Sequence, residues 1–254
     1  MATYKKRGYK PKTQKEKVEV IEEDSTTAEV FNTLDVSASR TEEWVIKNQN
    51  YIFLIVGLVA LVILGKMGYD KFIAEPNAEE AMNEMAVAQG YFDEALNSTE
   101  KDSLFTLALE GGEGKFGMLD IAKEYSSTPA GNLANYYAGM AYLNMNKYDQ
   151  AIQYLSDFKS DDQMLAPIAN GGIGDAFVQL NQLEDGLEYY EKALAQSPND
   201  DTTPMFLKKA GVIAMKLGNA QKALDYFERI KADYANSDDG KNIDVLIGKA
   251  SASL

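Results

Sequence analysis

The rhythm of polar and apolar positions changes twice along this chain. Between Lys47 and Lys66 lie 18 residues without a charge, and the stretch YIFLIVGLVALVILG within them has no polar face. After Pro76 apolar residues recur at three- and four-residue spacing: in AEEAMNEMAVAQGYFDEALNS, Ala81, Met85, Ala88, Phe92 and Ala95 share one side. That period predicts an amphipathic helix. Two shorter helical pieces, DSLFTLALE and FGMLDIAKEY, follow, with the linker GGEGKFG between them.

From Asn132 the pattern repeats in YYAGMAYLNMNKYDQAIQYL, GGIGDAFVQLNQLEDGLEYYEKALAQSP and KKAGVIAMKLGNAQKALDYFERI. Gly139, Gly174 and Gly211 are 35 and 37 residues apart, and Ala151, Gly186 and Ala223 keep the same spacing. Each unit reads as a helical hairpin. A small residue midway along the first helix and another early in the second let the two approach, while Tyr142 or Phe177 fills the gap beside them. Such a hairpin cannot bury its apolar face alone, so it stacks on neighbours. YFDEAL, around Ala95, mimics a second helix without a proper partner before it, so a fourth repeat is not assigned. Asp238 to Ala252 reads as a capping helix with Ile243, Leu246, Ile247 and Ala250 on one face. The predicted fold class is all-α: one transmembrane helix, then a helical-hairpin solenoid with a C-terminal cap.

The uncharged stretch spans roughly 27 Å at about 1.5 Å per residue, close to the thickness of a bilayer's hydrocarbon core. Lys47 and Lys66 can snorkel from its ends, and Trp44, Tyr51 and Tyr69 stand where an aromatic belt would hold them, which defines an anchor at 44–69. A cleaved signal peptide conflicts with a start some fifty residues in and with Gly65-Lys66-Met67, which is no small-x-small site. A buried core helix conflicts with the missing polar face and the lack of a comparably apolar partner.

Charge divides the chain. Residues 1–50 hold nine Lys/Arg against nine Asp/Glu, whereas residues 72–254 hold 14 against 29. The acidic part argues against nucleic acid as a partner. Arg40 and Lys47 balance Lys66 and Lys71, so the nearest charges do not orient the anchor. Further out, YKKRGYKPKTQKEK places seven Lys/Arg within residues 4–17, while after Lys71 the next basic residue is Lys101. The positive-inside tendency then puts the N-terminus in the cytoplasm and residues 72–254 outside, as in a single-pass protein of a bacterial inner membrane with a periplasmic domain. Residues 1–43, with a basic block, the acidic block EVIEEDSTTAE and few large apolar residues, read as a disordered cytoplasmic tail. The basic block, interleaved with Tyr4 and Tyr9, suits anionic lipid headgroups or ribosomal RNA; alternatively its lysines only set topology.

Candidate chemistry is sparse. The chain has no Cys and no His, which removes disulfides, thiol nucleophiles, Cys/His zinc sites and Ser-His relays. GEGKF lacks Ser or Thr after its Lys and has Leu109 where a phosphate-binding loop needs its first Gly. Asp161-Asp162, Asp200-Asp201 and Asp238-Asp239 read as helix starts and solvated turns. No catalytic, metal or cofactor site is assigned. A carboxylate-dependent hydrolase, the enzymatic alternative, would lack a cleft motif and a partnered nucleophile.

The repeats at about 132–235 resemble the tetratricopeptide repeat (TPR) family, the middle one through Gly174, Phe177, Tyr190, Ala193 and Pro198. The flanking repeats depart from the pattern, with Asn135 where the family has an aromatic and Ala214 in place of a Tyr. The resemblance implies a concave groove, lined by the first helices, that binds peptides or partner helices. Carried over position by position, it puts Leu133, Tyr136, Met140, Leu143, Asn144, Asp175, Val178, Gln179, Met205, Lys208, Val212, Met215 and Lys216 on that face. Adaptable thioethers suit a surface that accepts varied apolar segments; alternatively Val212 and Met215 pack on the next helix. A carboxylate clamp needs a basic-and-Asn cluster, which only Asn144, Lys208 and Lys216 approach. The whole layout, with the phrases AEEAMNEM and GNLANYYAG, is similar to the YfgM-type ancillary proteins of the Sec translocon, in the form common in Bacteroidota. This implies a scaffold whose partners are Sec translocon subunits, a periplasmic prolyl isomerase or chaperone, or nascent secreted chains. The alternative is a scaffold for envelope, cell-wall or outer-membrane assembly.

Overall fold

The computed structural model describes residues 26–196 and 198–254, with side chains from Glu42 onward. The basic block at residues 4–17 lies outside them. The chain divides into two units, Met1–Tyr69 and Asp70–Leu254.

In the first unit a single helix, α1, runs over Thr26–Tyr69. It takes in residues 26–43 as well as the apolar stretch. No Gly or Pro stands between Thr26 and Lys47 to stop a helix propagating back from the apolar stretch. Its apolar side chains from Phe53 to Leu64 are exposed, Leu61 by 72%. Among the described residues this is the one helix long and apolar enough to cross a membrane.

The second unit opens with a π-turn, Asp70–Ala74, and then α2, Glu75–Asn97. Pro76 at the start of α2 has no N–H to give to the carbonyl four residues back, so the regular ladder is interrupted there. α2 buries Ala81, Met85, Ala88, Phe92 and Ala95, the face that the period predicts. Next come α3 (Lys101–Glu110) and α4 (Met118–Glu124). YFDEAL therefore belongs to α2, whose hairpin partner α3 follows it. Phe92 makes edge contacts with Phe105 at 5.4 Å and Tyr137 at 5.1 Å, tying these helices to the first repeat. In the GGEGKFG linker, Gly111, Glu113 and Gly114 take positive φ, and Lys115 reaches back to Glu84 at 2.9 Å.

Three hairpins follow: α5 (Pro129–Asn144) with α6 (Tyr148–Asp157), α7 (Leu165–Gln179) with α8 (Leu183–Gln196), and α9 (Thr202–Lys216) with α10 (Ala220–Asp233). The first helices α5, α7 and α9 neighbour one another, while α6, α8 and α10 each pack on their own partner and on the next element in line. α11 (Ile243–Ser251) closes the stack against α10. It starts later than the capping segment read from sequence, because residues 238–242 form a turn that ends on Asn242 with φ 65°. Ile243 and Ala250 are buried, and Leu246 and Ile247 pack on the same cluster.

The hairpins share one internal lock. A Cβ on Gly139 would stand 2.5 Å from Leu155, on Gly174 2.8 Å from Tyr190, and on Gly211 2.3 Å from Phe227. All three distances are too short for any side chain, so glycine's cost within a helix is accepted where the second helix drives a large residue into the first. Beside the first two locks sits an aromatic pair, Tyr142 with Tyr154 at 5.5 Å and Phe177 with Tyr189 at 5.3 Å. In the third hairpin Ala214 leaves Tyr226 without that neighbour, and its hydroxyl goes to Glu191 of α8 instead.

The turns repeat as well. Asn146, Asn181 and Gly218 all have φ near 60–77°. After each, the next N–H bonds back five residues, Lys147 to Tyr142, Gln182 to Phe177 and Asn219 to Ala214, which is the Schellman ending of a helix. Helix starts are less uniform. Thr128 caps α5 by accepting from Gly131 N at 3.0 Å, with Pro129 next to it. Asp162 accepts from the N–H groups of Met164 and Leu165, which hold its carboxyl below its ordinary value. Ahead of α9 the capping oxygen belongs to Asn199 rather than to Asp200 or Asp201. Asp238 and Asp239 pair with Lys241 and Lys208.

Candidate functional site

The first helices of adjacent repeats are held apart by their side chains, and between α7 and α9 this leaves a cavity of about 390 Å³. Six of the residues expected on the groove face line it: Asp175 and Val178 from α7, and Met205, Lys208, Val212 and Lys216 from α9. Spacing explains why they converge. Asp175 and Val178 are one turn apart, as are Met205, Lys208 and Val212 in sequence, so each set forms a stripe on its helix.

The remaining seven are placed elsewhere. Leu133 and Met140 are half-buried and pack against two core clusters. Tyr136 packs at 5.3 Å on Phe158 and at 5.7 Å on Tyr137, and burial pushes its hydroxyl pKa up. Met140 and Leu143 both pack where a side chain on Gly172 of α7 would begin, at 3.5 and 3.6 Å from a Cβ placed there. Met215 packs on the C-terminal cluster. Asn144 and Gln179 are exposed, and the Asn144 side chain donates to the Met140 carbonyl.

Four further residues line the cavity that the helix-face reading does not contain: Tyr190, Lys209, Ile213 and Asp239. Tyr190 comes from a second helix and Asp239 from the turn before α11, so a rule confined to first helices misses both. Lys209 carries a usable signal, because it stands 34 residues after Asp175, about one repeat, with the opposite charge.

Polar groups in the cavity are arranged as a tied network. The Asp175 carboxylate accepts from the Tyr190 hydroxyl at 2.6 Å and from Lys209 at 2.8 and 2.7 Å, one bond to each oxygen. Burial, followed by the Asp175 charge and hydrogen bond, drives the Tyr190 hydroxyl far above its ordinary range, so it remains a donor. The Lys209 ammonium also lies 5.8 Å from the Phe206 ring and 5.9 Å from that of Tyr190, within cation–π range. Lys208 pairs with Asp239 at 3.0 Å. Both carboxylates are thus engaged by lysines, and Lys216, exposed at the end of α9, adds a positive charge at the rim. Between these polar groups Val178, Met205 and Val212 present apolar surface, Val212 being 37% exposed. Such a site can seat apolar side chains and meet a carbonyl or carboxylate at Lys216. Among the described residues no group of three or more Asp or Glu is placed to hold a metal ion.

Comparison with known proteins agrees with this architecture. A tetratricopeptide repeat family model matches residues 136–201 and 172–238. The chain is also similar to a protein of Guillardia theta named "Uncharacterized protein ycf37", at 33% identity over 138 residues that make up 52% of this chain and 75% of that protein. With its glycine locks, repeated turns and stacked hairpins, the chain belongs to the tetratricopeptide repeat proteins.

Proposed function

We propose that this protein is a membrane-anchored scaffold that holds a peptide or helix of a partner protein in the cavity between α7 and α9, on the outer face of a bacterial inner membrane. The observation that carries the reading is the pairing of an apolar strip, Val178, Met205 and Val212, with the rim cation Lys216. The exposed, uncharged span in α1 supports membrane attachment. An ancillary role at the Sec translocon of the YfgM type, serving translocon subunits, a prolyl isomerase or nascent chains, fits one anchor followed by an acidic repeat domain. The same scaffold in envelope, cell-wall or outer-membrane assembly is the second reading.

A photo-crosslinking residue at Val212, activated in native membranes, tests both parts. Val212 is preferred to Tyr136, the aromatic expected on the groove face, because Tyr136 packs on Phe158. Crosslinks to translocon subunits or to a membrane-anchored prolyl isomerase are expected; crosslinks to cell-wall or outer-membrane assembly factors would move the scaffold to the second pathway. A Val212→Glu chain that keeps its crosslinks, placed from an unchanged neighbouring position, would remove the cavity from the account. The chain has no cysteine. A single cysteine at Ala232, which is exposed on α10, should therefore react with an impermeant maleimide in intact cells of permeabilised outer membrane, and its protection would reverse the topology.

A further inference from the structure

A second cavity, of about 420 Å³, opens between α6, α7 and α8 and shares no lining residue with the first. Ala166 and Asp175 face opposite ways on α7, being about two and a half turns apart. Ala166 belongs to the second cavity and Asp175 to the first. The floor of the second cavity is apolar, with Leu155, Phe158 and Ile173 all buried. Its rim carries Lys159 and Lys192, and no Asp or Glu lines it.

Comparison of repeats shows why this crevice is open. One repeat further on, Glu191 of α8 accepts from the Tyr226 hydroxyl and pairs with Lys222, which bolts α8 to α10. Shifted back by the repeat length of 35 or 37 residues, those three places are occupied by Ser156, Tyr189 and Asp185. Serine is too short to reach α8, and aspartate has replaced the lysine; in place of the ion pair there is an uncharged tie, Gln196 of α8 donating to the Ser160 carbonyl at 3.1 Å and accepting from Asn170. Ser156 and Tyr189 line the cavity that results.

We propose that this cavity docks an acidic segment of a partner protein, which seats one bulky apolar side chain on Leu155, Phe158 and Ile173 and brings flanking carboxylates to Lys159 and Lys192. Charge selects the occupant. Residues 72–254 hold 29 Asp/Glu against 14 Lys/Arg, so a cavity with two lysines and no carboxylate departs from its surroundings. The Lys159 ammonium donates only to the Ser156 carbonyl and has no carboxylate partner among the described residues. Lys192 pairs with Glu188, but both side chains are exposed, and a pair of that kind is easily exchanged. An apolar anchor in a pocket with a charged rim is the arrangement in which a few residues carry most of an interface's affinity. The inference stands independently of the α7/α9 cavity.

The test uses the full chain in mild detergent at about 0.15 M salt, where charges further apart than roughly 8 Å are screened from one another. The probe is a fluorescein-labelled peptide DELFED, read by anisotropy, with KKLFKK as its charge-reversed counterpart. Saturable binding of DELFED is expected. It should weaken by about tenfold or more in Ser156→Gln, which fills the crevice without charge, and in Lys159→Glu, while Val212→Glu leaves it unchanged. Equal affinity in the wild type and in both rim variants would overturn the proposal. So would loss of binding in Val212→Glu, binding of KKLFKK as tight as that of DELFED, or no binding at about 1 mM peptide. Thermal unfolding by circular dichroism checks each variant. If Ser156→Gln fails to fold, Lys159→Glu, at an exposed position, decides the matter alone.

Discussion

Inside the hairpins the three repeats are alike; between the hairpins they differ. Each hairpin closes by the same contact, Gly139 on Leu155, Gly174 on Tyr190 and Gly211 on Phe227. The crevices outside α7 and α9 do not match: one is bolted by the charged group Glu191, Lys222 and Tyr226, and the other keeps only the uncharged tie of Gln196 to Ser160 and Asn170 and leaves a cavity behind Ser156. The difference teaches where a repeat protein is free to vary. The lock is constrained by volume on both sides, whereas a crevice between stacked second helices tolerates either a bridge or a void, and an individual surface can be written there.

If the locks hold the domain and the junctions only trim it, substitutions should rank accordingly. Phe227→Ala removes a side chain 1% exposed and leaves a void against Gly211, so a loss of about 3–5 kcal/mol is expected from denaturant unfolding of the full chain in mild detergent. Gly174→Ala puts a methyl group 2.8 Å from the Tyr190 ring, for a loss of about 1–3 kcal/mol. Gly90→Ala, in α2 where no atom lies within 4 Å of the new carbon, should instead raise stability by about 0.5–1 kcal/mol. Opposite signs for one substitution in two helices are the sharpest form of the contrast, and equal signs would break it.

Glu191→Gln tests the bolted junction, with a smaller effect. Burial raises the pKa of this carboxyl, but the Lys222 and Tyr226 hydrogen bonds outweigh it and leave the pKa lowered from its ordinary 4.5. Its contribution is therefore complete above about pH 4.5 and is lost as the pH falls through the lower, folded-state value. The group is more than a third exposed, so no more than about 1 kcal/mol is expected at neutral pH. The substitution should flatten the acid limb of the stability curve, and an unaltered limb would show that the bolt contributes nothing.

Much of the fold was legible in the chain because volume alternates with the repeat: small residues at Gly139, Gly174 and Gly211, and aromatics at Tyr142 and Phe177. The turn series Asn146, Asn181 and Gly218 was equally available, since only residues that tolerate a left-handed backbone recur at that place. Which of the groove-face residues share a cavity was legible on α7 and α9 and not on α5. Met140 and Leu143 look free when α5 is considered alone, but Gly172 leaves α7 bare at the place where they arrive, and they pack there. Tyr136 is claimed by Phe158, which lies beyond the end of α6 and outside any first-helix rule.

The glycine and the side chain that fills it are 16 residues apart in all three hairpins. Closing so short a loop costs little chain entropy, and contacts so local in sequence are those that form fast. The domain can therefore be assembled in the order in which it is synthesised. A hairpin closes once its own thirty-odd residues are free, its bare side waits only for the next hairpin, and α11 covers the third in the same way.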